Sequence, residues 1–348
     1  TSLHHTAPAV TMTKPAANPA AATLATLTHT LLTLSRLKVN QVQLFARLSL
    51  STSWQLPYTE GELLALDRLC SDREVSLLPA LDLHQPCPAQ DLSLLTPVFS
   101  RILTCFSSLS SLHLGPCLSS VLLSSPSLLS SLHSLLSLPP SSTIYLCSNS
   151  LPPASLPPLP PCLGLVEYGF PASHPWATTI LSRASLGLPL LLCPGTAAWS
   201  CLLGRPNTMQ VNIEAAARAA HSQGARGLLV AHWAGAPALA PLVGALPGWV
   251  LGAGLAWGPH CSVGGLGEAL SRHVLQDGAG SAGQVTLPAS PASLLLPAGA
   301  ARPGCRGVFP GPSLPPALPP PPPGDEAQLC RAGGQGTRPT QQDSRGKE

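Results

Sequence analysis

Apolar positions along this chain recur in two alternating styles, one with a helical period of about 3.6 residues and one as short continuous or every-other-residue runs. Residues 21–37 (AATLATLTHTLLTLSRL) place Leu and Ala on a helical period and end on basic residues, which suit a helix C-terminus. In residues 39–48 (VNQVQLFARL) alternate positions swap character, which predicts a strand. Residues 59–73 predict a helix opened by Thr59 as N-cap, with Glu62 three positions on completing a capping box and Leu63, Leu66 and Cys70 forming the apolar stripe. The run VSLLPALDL (75–83) reads as a strand buried on both faces.

The alternation continues. Helices are predicted over 93–108, 118–138, 177–187, 212–224 and 243–257, with Gly224 closing the fourth of these at its C′ position. Strands are predicted over 111–115, 143–147, 163–169, 188–195 and 225–233. Strand–helix alternation of this kind builds a parallel α/β fold. Seven strands follow the first helix, so the expected fold is a (β/α)8 TIM-type barrel lacking its first strand. A doubly wound sheet fits less well, because no Gly-rich phosphate turn follows the first strand. Residues 1–20, rich in Ala, Pro and Thr, read as a loose N-terminal segment, and 21–273 as the barrel. Residues 274–348 are Pro/Gly-rich with a polar end, a composition that buries too little surface to offset ordering entropy; a disordered tail is expected there.

Composition narrows the function classes. Apolar residues make up 45% of the 348 and can fill a sizeable core, but charged residues are only 9%, against roughly 25% in ordinary soluble proteins. Residues 227–259 contain no Asp, Glu, Lys or Arg, yet Pro237, Pro241, Pro247 and Pro259 interrupt them, which argues against a membrane span. A net charge of +3 without a basic cluster excludes a nucleic-acid groove. The 11 cysteines include no Cys-x-x-Cys pair, so neither a metal site nor a cofactor is expected. No basic stretch followed by an apolar run opens the chain, which starts at Thr1, and no Asn-x-Ser/Thr acceptor occurs; together with thiols that read as reduced, this points to an intracellular location.

Two segments carry a family resemblance. Residues 192–242 hold Cys193, Pro194, Gly195, Thr196, Trp199, Gly204, Arg205, Asn212, Gly224, Ala225, Gly227 and Trp233 at the spacing found at the end of the barrel in glycoside hydrolase family 20, the β-N-acetylhexosaminidases. Residues 27–45 and 57–83 resemble the same family's region from helix one to strand three, and SLHLG (111–115) and VEYGFPASHPW (166–176) are similar to two further signatures in the correct order. The resemblance implies a barrel in which the substrate's own acetamido group attacks the anomeric carbon. An Asp orients that group and the adjacent Glu protonates the leaving oxygen, both from a His-x-Gly-x-Asp-Glu stretch ending strand four.

Here that stretch reads His113-Leu114-Gly115-Pro116-Cys117-Leu118, so Cys117 and Leu118 stand where the two acids would be. The family's Asp-Trp-Gly-Asp on strand eight corresponds to His232-Trp233-Ala234-Gly235, and Arg47 ends strand two where an acid is common. The resemblance therefore implies a degenerate member without hydrolase activity, a pseudoenzyme that binds saccharide weakly or serves as a scaffold. The candidate saccharide-binding residues are Asp82, His113, Glu167, Trp199 and Trp233. Trp199 and Trp233 can stack on a sugar face or pack beneath the loops; Glu167 can hold sugar hydroxyls or a structural ion pair; Asp82 can act with His84 or bond its own turn. The alternatives are an active hydrolase using Glu167 as acid, and a protein-interaction module presenting Pro-rich segments (152–161 and near 320) to an SH3-like partner.

Overall fold

The computed structural model describes residues 7–13, 24–50, 54–55, 58–83, 96–107, 109–136, 138–139, 141–151, 159–199, 204–233, 242–258 and 263–283. In chain order the elements are β1 (Ala7–Thr13), α1 (Leu24–Arg36), β2 (Gln41–Leu50), β3 (Trp54–Gln55), α2 (Glu60–Ser71), β4 (Ser76–Leu83), α3 (Thr96–Leu103), β5 (Ser111–Leu114), α4 (Pro116–Leu123), α5 (Pro126–Leu135) and β6 (Thr143–Cys147). There follow β7 (Leu163–Tyr168), α6 (Trp176–Ala184), β8 (Leu190–Cys193), α7 (Pro206–Gln223), β9 (Gly227–His232), α8 (Leu246–Trp257) and α9 (Leu266–Ala269), which runs on into a π-helical stretch, Leu270–Leu275.

The strands pair in parallel in the order β1-β9-β8-β7-β6-β5-β4-β2, and β1 pairs again with β2, so the sheet closes on itself as a TIM-type barrel. The short β3 adds only an antiparallel edge to β2. This corrects the expectation of a barrel without its first strand, and with it the reading of 1–20 as loose throughout. Ala7–Thr13 is the first strand, in register with Gly227–His232 on one side and Gln41–Phe45 on the other. Its sequence carries Pro8 and then the strand-favouring Val10, Thr11 and Thr13, a signal too short to mark a strand by itself, and two neighbouring backbone edges that must be paired complete it.

Alternation along each strand separates two cores. Outward residues such as Val42, Leu44, Leu77, Leu81, Leu112, Leu114, Ile144, Leu165, Leu192 and Val230 pack against the helices in the larger cluster. Inward residues Tyr145, Val166, Leu191, Cys193, Leu229 and Ala231 form a second cluster inside the barrel, with Tyr168, Phe170 and Trp233 packed on it. The outer layer includes a fully buried Trp249 whose indole N–H has no partner. Burying so large a ring stabilises by about 4–6 kcal/mol, more than the roughly 1–3 kcal/mol lost to the orphaned donor.

Local signals place most of the elements. Thr59 accepts from the Glu62 N–H at 3.2 Å while the Glu62 carboxylate accepts from the Thr59 N–H at 2.8 Å, the capping box expected for α2. Gly224 ends α7 with φ 72°. The single helix expected over 118–138 is two, α4 and α5, because Pro126 cannot continue a helix but can begin one. Order also extends past the expected tail boundary: the Gly283 N–H donates to the buried Ser271 hydroxyl at 2.7 Å, so residues 274–283 pack with the barrel. The remainder of the expected tail, most of the 152–161 proline segment and the proline run at 319–323 lie outside the described residues. Among the described residues no helix is long and apolar enough to cross a membrane.

Replacing Val10 with Pro removes an amide donor from a strand paired on both sides. A stability loss of about 1–3 kcal/mol relative to Val10→Ala is expected in urea denaturation. Equal stability of the two variants would show that β1 does not close the sheet.

Candidate functional site

Barrels of this class build their sites where the parallel strands end. Inward-facing positions there begin with a polar chain. The Tyr168 hydroxyl lies 3.2 Å from His113 Nε2, and His113 Nδ1 lies 2.8 Å from Gln43 Oε1. With the hydroxyl donating to Nε2 and Nδ1–H donating to the amide oxygen, the neutral imidazole satisfies both bonds. Burial holds His113 in that state, lowering its pKa from 6.5 to about 3, and pushes the Tyr168 phenol well above its ordinary value. Neither group exchanges a proton near neutrality. The Gln43 Nε2 ends the chain without a partner.

Asp82 ends β4 beside Arg47 of β2, its register partner. Its carboxylate does not reach into open space. Oδ1 accepts from the Leu118 N–H at 3.0 Å, in the first turn of α4. The negative charge thus sits at the positive end of a helix that has no cap of its own, since its N-cap residue is Gly115. Burial pushes the Asp82 carboxyl up, against the downward pull of the Leu118, Leu83 and Cys117 N–H groups and of Arg47. Gly115 is required by this contact: a Cβ there would collide with the Cβ and carboxyl carbon of Asp82.

The same turn carries Cys117 and Leu118. The Leu118 side chain is 2% exposed and packs into the outer helical core. Cys117 stays on the side of Asp82 and Arg47. Burial, and then the neighbouring Asp82 charge, push its thiol up, so it is protonated at neutral pH.

Across the mouth lies a group of aromatic rings. Trp233, just beyond β9, meets Phe45 edge-on at 5.1 Å between centroids and lies 5.9 Å from Tyr168 and 6.1 Å from Phe170. Phe170 meets Trp199 edge-on at 5.2 Å. Tyr168, Phe170, Trp199 and Trp233 all retain partial exposure. The Trp199 ring reaches this position over Gly195, where a Cβ would overlap it. Asn212 of α7, fully buried, ties the loops beneath: its Oδ1 accepts from the Gly195 N–H at 3.1 Å, and its Nδ2 donates to the carbonyls of Gly169 and Pro171 at 3.0 and 2.8 Å.

Of the five candidate residues, His113, Asp82 and Trp233 face the barrel interior or its mouth, and Trp199 joins them through Phe170. Glu167 does not. It alternates with the inward Val166 and Tyr168 and faces the helical layer, where it accepts from the Ser148 hydroxyl and from Asn149 Nδ2, with His174 Nε2 at 3.5 Å. Asn149 also pairs with both the N–H and the carbonyl of Tyr168, so the Glu167 cluster braces the strand end. His232 likewise turns outward, bonding Thr196 at 3.0 Å and lying edge-on to Trp249. His84, Ala234 and Gly235 lie outside the described residues. Gln43, Tyr168 and Phe170 were not among the sequence candidates. The alternation that puts Gln43 and Phe45 on one strand face was their available signal. Among the described residues no group of three or more His, Cys, Asp or Glu side chains could hold a metal ion, and the six described cysteines are free thiols.

No family model and no curated protein matches the sequence. Solved structures do match the fold. A β-N-acetylhexosaminidase aligns over 77% of this chain and 76% of its own, with TM-score 0.54 and 15% identity. The β-N-acetylhexosaminidase of Bacteroides fragilis aligns over 78% and 71%, with TM-score 0.54 and 11% identity. A glycoside hydrolase family 20 β-N-acetylglucosaminidase aligns over 78% and 75%, with TM-score 0.53 and 12% identity. The chain has the fold of these catalytic barrels.

Two measurements check the site. His113 and His232 are held neutral, with pKa lowered to about 3 and about 4, while the unfolded chain protonates both near 6.5. Their contribution to stability is therefore complete above pH 6.5 and is lost as pH falls toward the folded values, by roughly 1.4 kcal/mol per pH unit for each ring. Replacing His113 with Gln is expected to flatten the pH dependence of unfolding between 6.5 and 4 by about one proton; an unchanged slope contradicts the assignment. Replacing Asn212 with Ala removes the partners of the Gly195 N–H and the Gly169 carbonyl, while the Pro171 carbonyl keeps the His174 N–H, and is expected to cost about 2–4 kcal/mol in denaturant unfolding. A loss below about 0.5 kcal/mol, the range of ordinary surface substitutions, would remove Asn212 as the tie.

Proposed function

We propose that this chain, with the fold of the family 20 β-N-acetylhexosaminidases, is a hydrolytically silent barrel that holds a saccharide against its aromatic rim. The observation that carries the reading is the engagement of Asp82. Acid-catalysed glycoside cleavage needs a group that gives a proton to the leaving oxygen, which contributes about 10²–10⁴-fold. Among the described residues, two carboxylates sit at strand ends. Asp82 is bound to the first turn of α4, and Glu167 faces away from the mouth, bound by Ser148 and Asn149. Where the resemblance places the acid pair, Cys117 holds its proton and Leu118 is buried among apolar side chains.

What the mouth keeps is suited to holding a sugar. Sugar sites combine apolar ring faces with a few oriented polar groups. Trp233, Trp199, Tyr168 and Phe170 supply partly exposed rings on which an apolar sugar face can stack. Stacking without charged hydrogen bonds supports only weak affinity, of roughly millimolar Kd.

Ligand-observed NMR with N-acetylglucosamine and its short oligomers is the test. Saturation transfer to the sugar is expected with the native chain and is expected to vanish in Trp233→Leu while thermal stability holds. The recovered oligomers are expected intact. Absence of transfer to the native chain, or transfer unaffected by the substitution, removes the saccharide reading.

A further inference from the structure

We propose that the sugar held at the mouth is an acidic one, and that Arg47 selects it by pairing with a carboxylate on the ring. The inference rests on the saccharide reading above and names the class of sugar. Side chains alternate along β2: Gln43 meets His113 and Phe45 meets Trp233 in the barrel interior, while Val42, Leu44, Ala46 and Leu48 belong to the outer core. Arg47, two residues beyond Phe45, falls on the interior face at the end of the strand. Gln43 and Phe45 are buried, whereas Arg47 is exposed. Its guanidinium therefore belongs to the opening, one step outward from the aromatic group.

Opposite charges side by side on neighbouring strands ordinarily pair. Arg47 and Asp82 are register partners, and the Arg47 charge acts on both Asp82 and Cys117. They nevertheless form no ion pair, and no other carboxylate among the described residues takes the place of Asp82. The cause lies in α4. Asp82 Oδ1 accepts from the Leu118 N–H at 3.0 Å, and the N–H groups of Cys117 and Leu83 also hold the carboxylate. The helix has taken the acid that would otherwise face Arg47, and the positive end of α4 compensates its charge. A guanidinium left without a carboxylate presents a planar fork of donors that matches one, with two parallel hydrogen bonds. Rings for stacking and a free fork beside them fit a molecule with an apolar ring face and a carboxylate substituent, which is a sugar acid. A neutral sugar still stacks but leaves the fork to water. Because Arg47 is exposed, water screens the pair, and the preference is about fivefold in affinity, the upper end for an exposed ion pair.

Ligand-observed NMR titration of the full chain tests it with a matched pair, N-acetylglucosamine and N-acetylglucosaminuronic acid, which differ only in the carboxylate at C6. The acid is expected to bind about fivefold more tightly at low salt. That advantage is expected to disappear in about 1 M sodium chloride, where charges are screened within a few ångströms. Arg47→Gln is expected to bind the two sugars alike. Equal binding of the pair by the native chain, or a preference for the acid that survives Arg47→Gln, overturns the inference and leaves the saccharide reading standing. Binding of neither sugar removes both.

Discussion

The carboxylate of Asp82 lies against the first turn of α4, and the chemical character of the barrel mouth follows from that contact. A helix that begins on Gly-Pro has free N–H groups and no side chain of its own to receive them. A neighbouring strand supplies the acceptor, across a glycine with no Cβ to obstruct it. The arrangement stabilises α4, whose Leu118 and Leu122 fill the outer core, and it commits the one acidic side chain that faces the mouth among the described residues.

The strand–helix alternation was legible because each element carries its own local signal. Thr59 and Glu62 mark the start of α2, Gly224 the end of α7, and the apolar runs of β4 and β9 announce strands buried on both faces. The first strand was not legible. Ala7–Thr13 is a short segment interrupted by Pro8 whose strand signal is confined to Val10–Thr13, and it pairs with two edges, β2 and β9. Closure is a property of the whole barrel and cannot be read from seven residues. The same limit applies to residues 274–283, whose Gly- and Ser-rich sequence reads as tail but whose backbone docks on Ser271.

At the site, residue types were legible and directions were not. His113 and Trp233 fall on the inward face as their positions suggested. Glu167 and His232, one residue out of phase with inward neighbours, turn to the helices and serve Ser148, Asn149, Thr196 and Trp249. Period-two alternation decides this, and a single-residue error in register inverts it. Asn212 stood out as a motif position, but its three bonds to the loops after β7 and β8 appear only once the strands bring those loops together. What locates a side chain in the mouth is thus long-range, even where the side chain itself is conspicuous.

The central proposal is that none of the described groups at this mouth delivers a proton to a departing sugar oxygen. It is tested most directly by the rate at which the purified chain releases phenol from an aryl N-acetyl-β-glucosaminide between pH 4 and 8. The account predicts the uncatalysed rate throughout, with no bell-shaped dependence on pH. Release well above background that is abolished by Asp82→Asn or Glu167→Gln, in variants that remain folded, would contradict it.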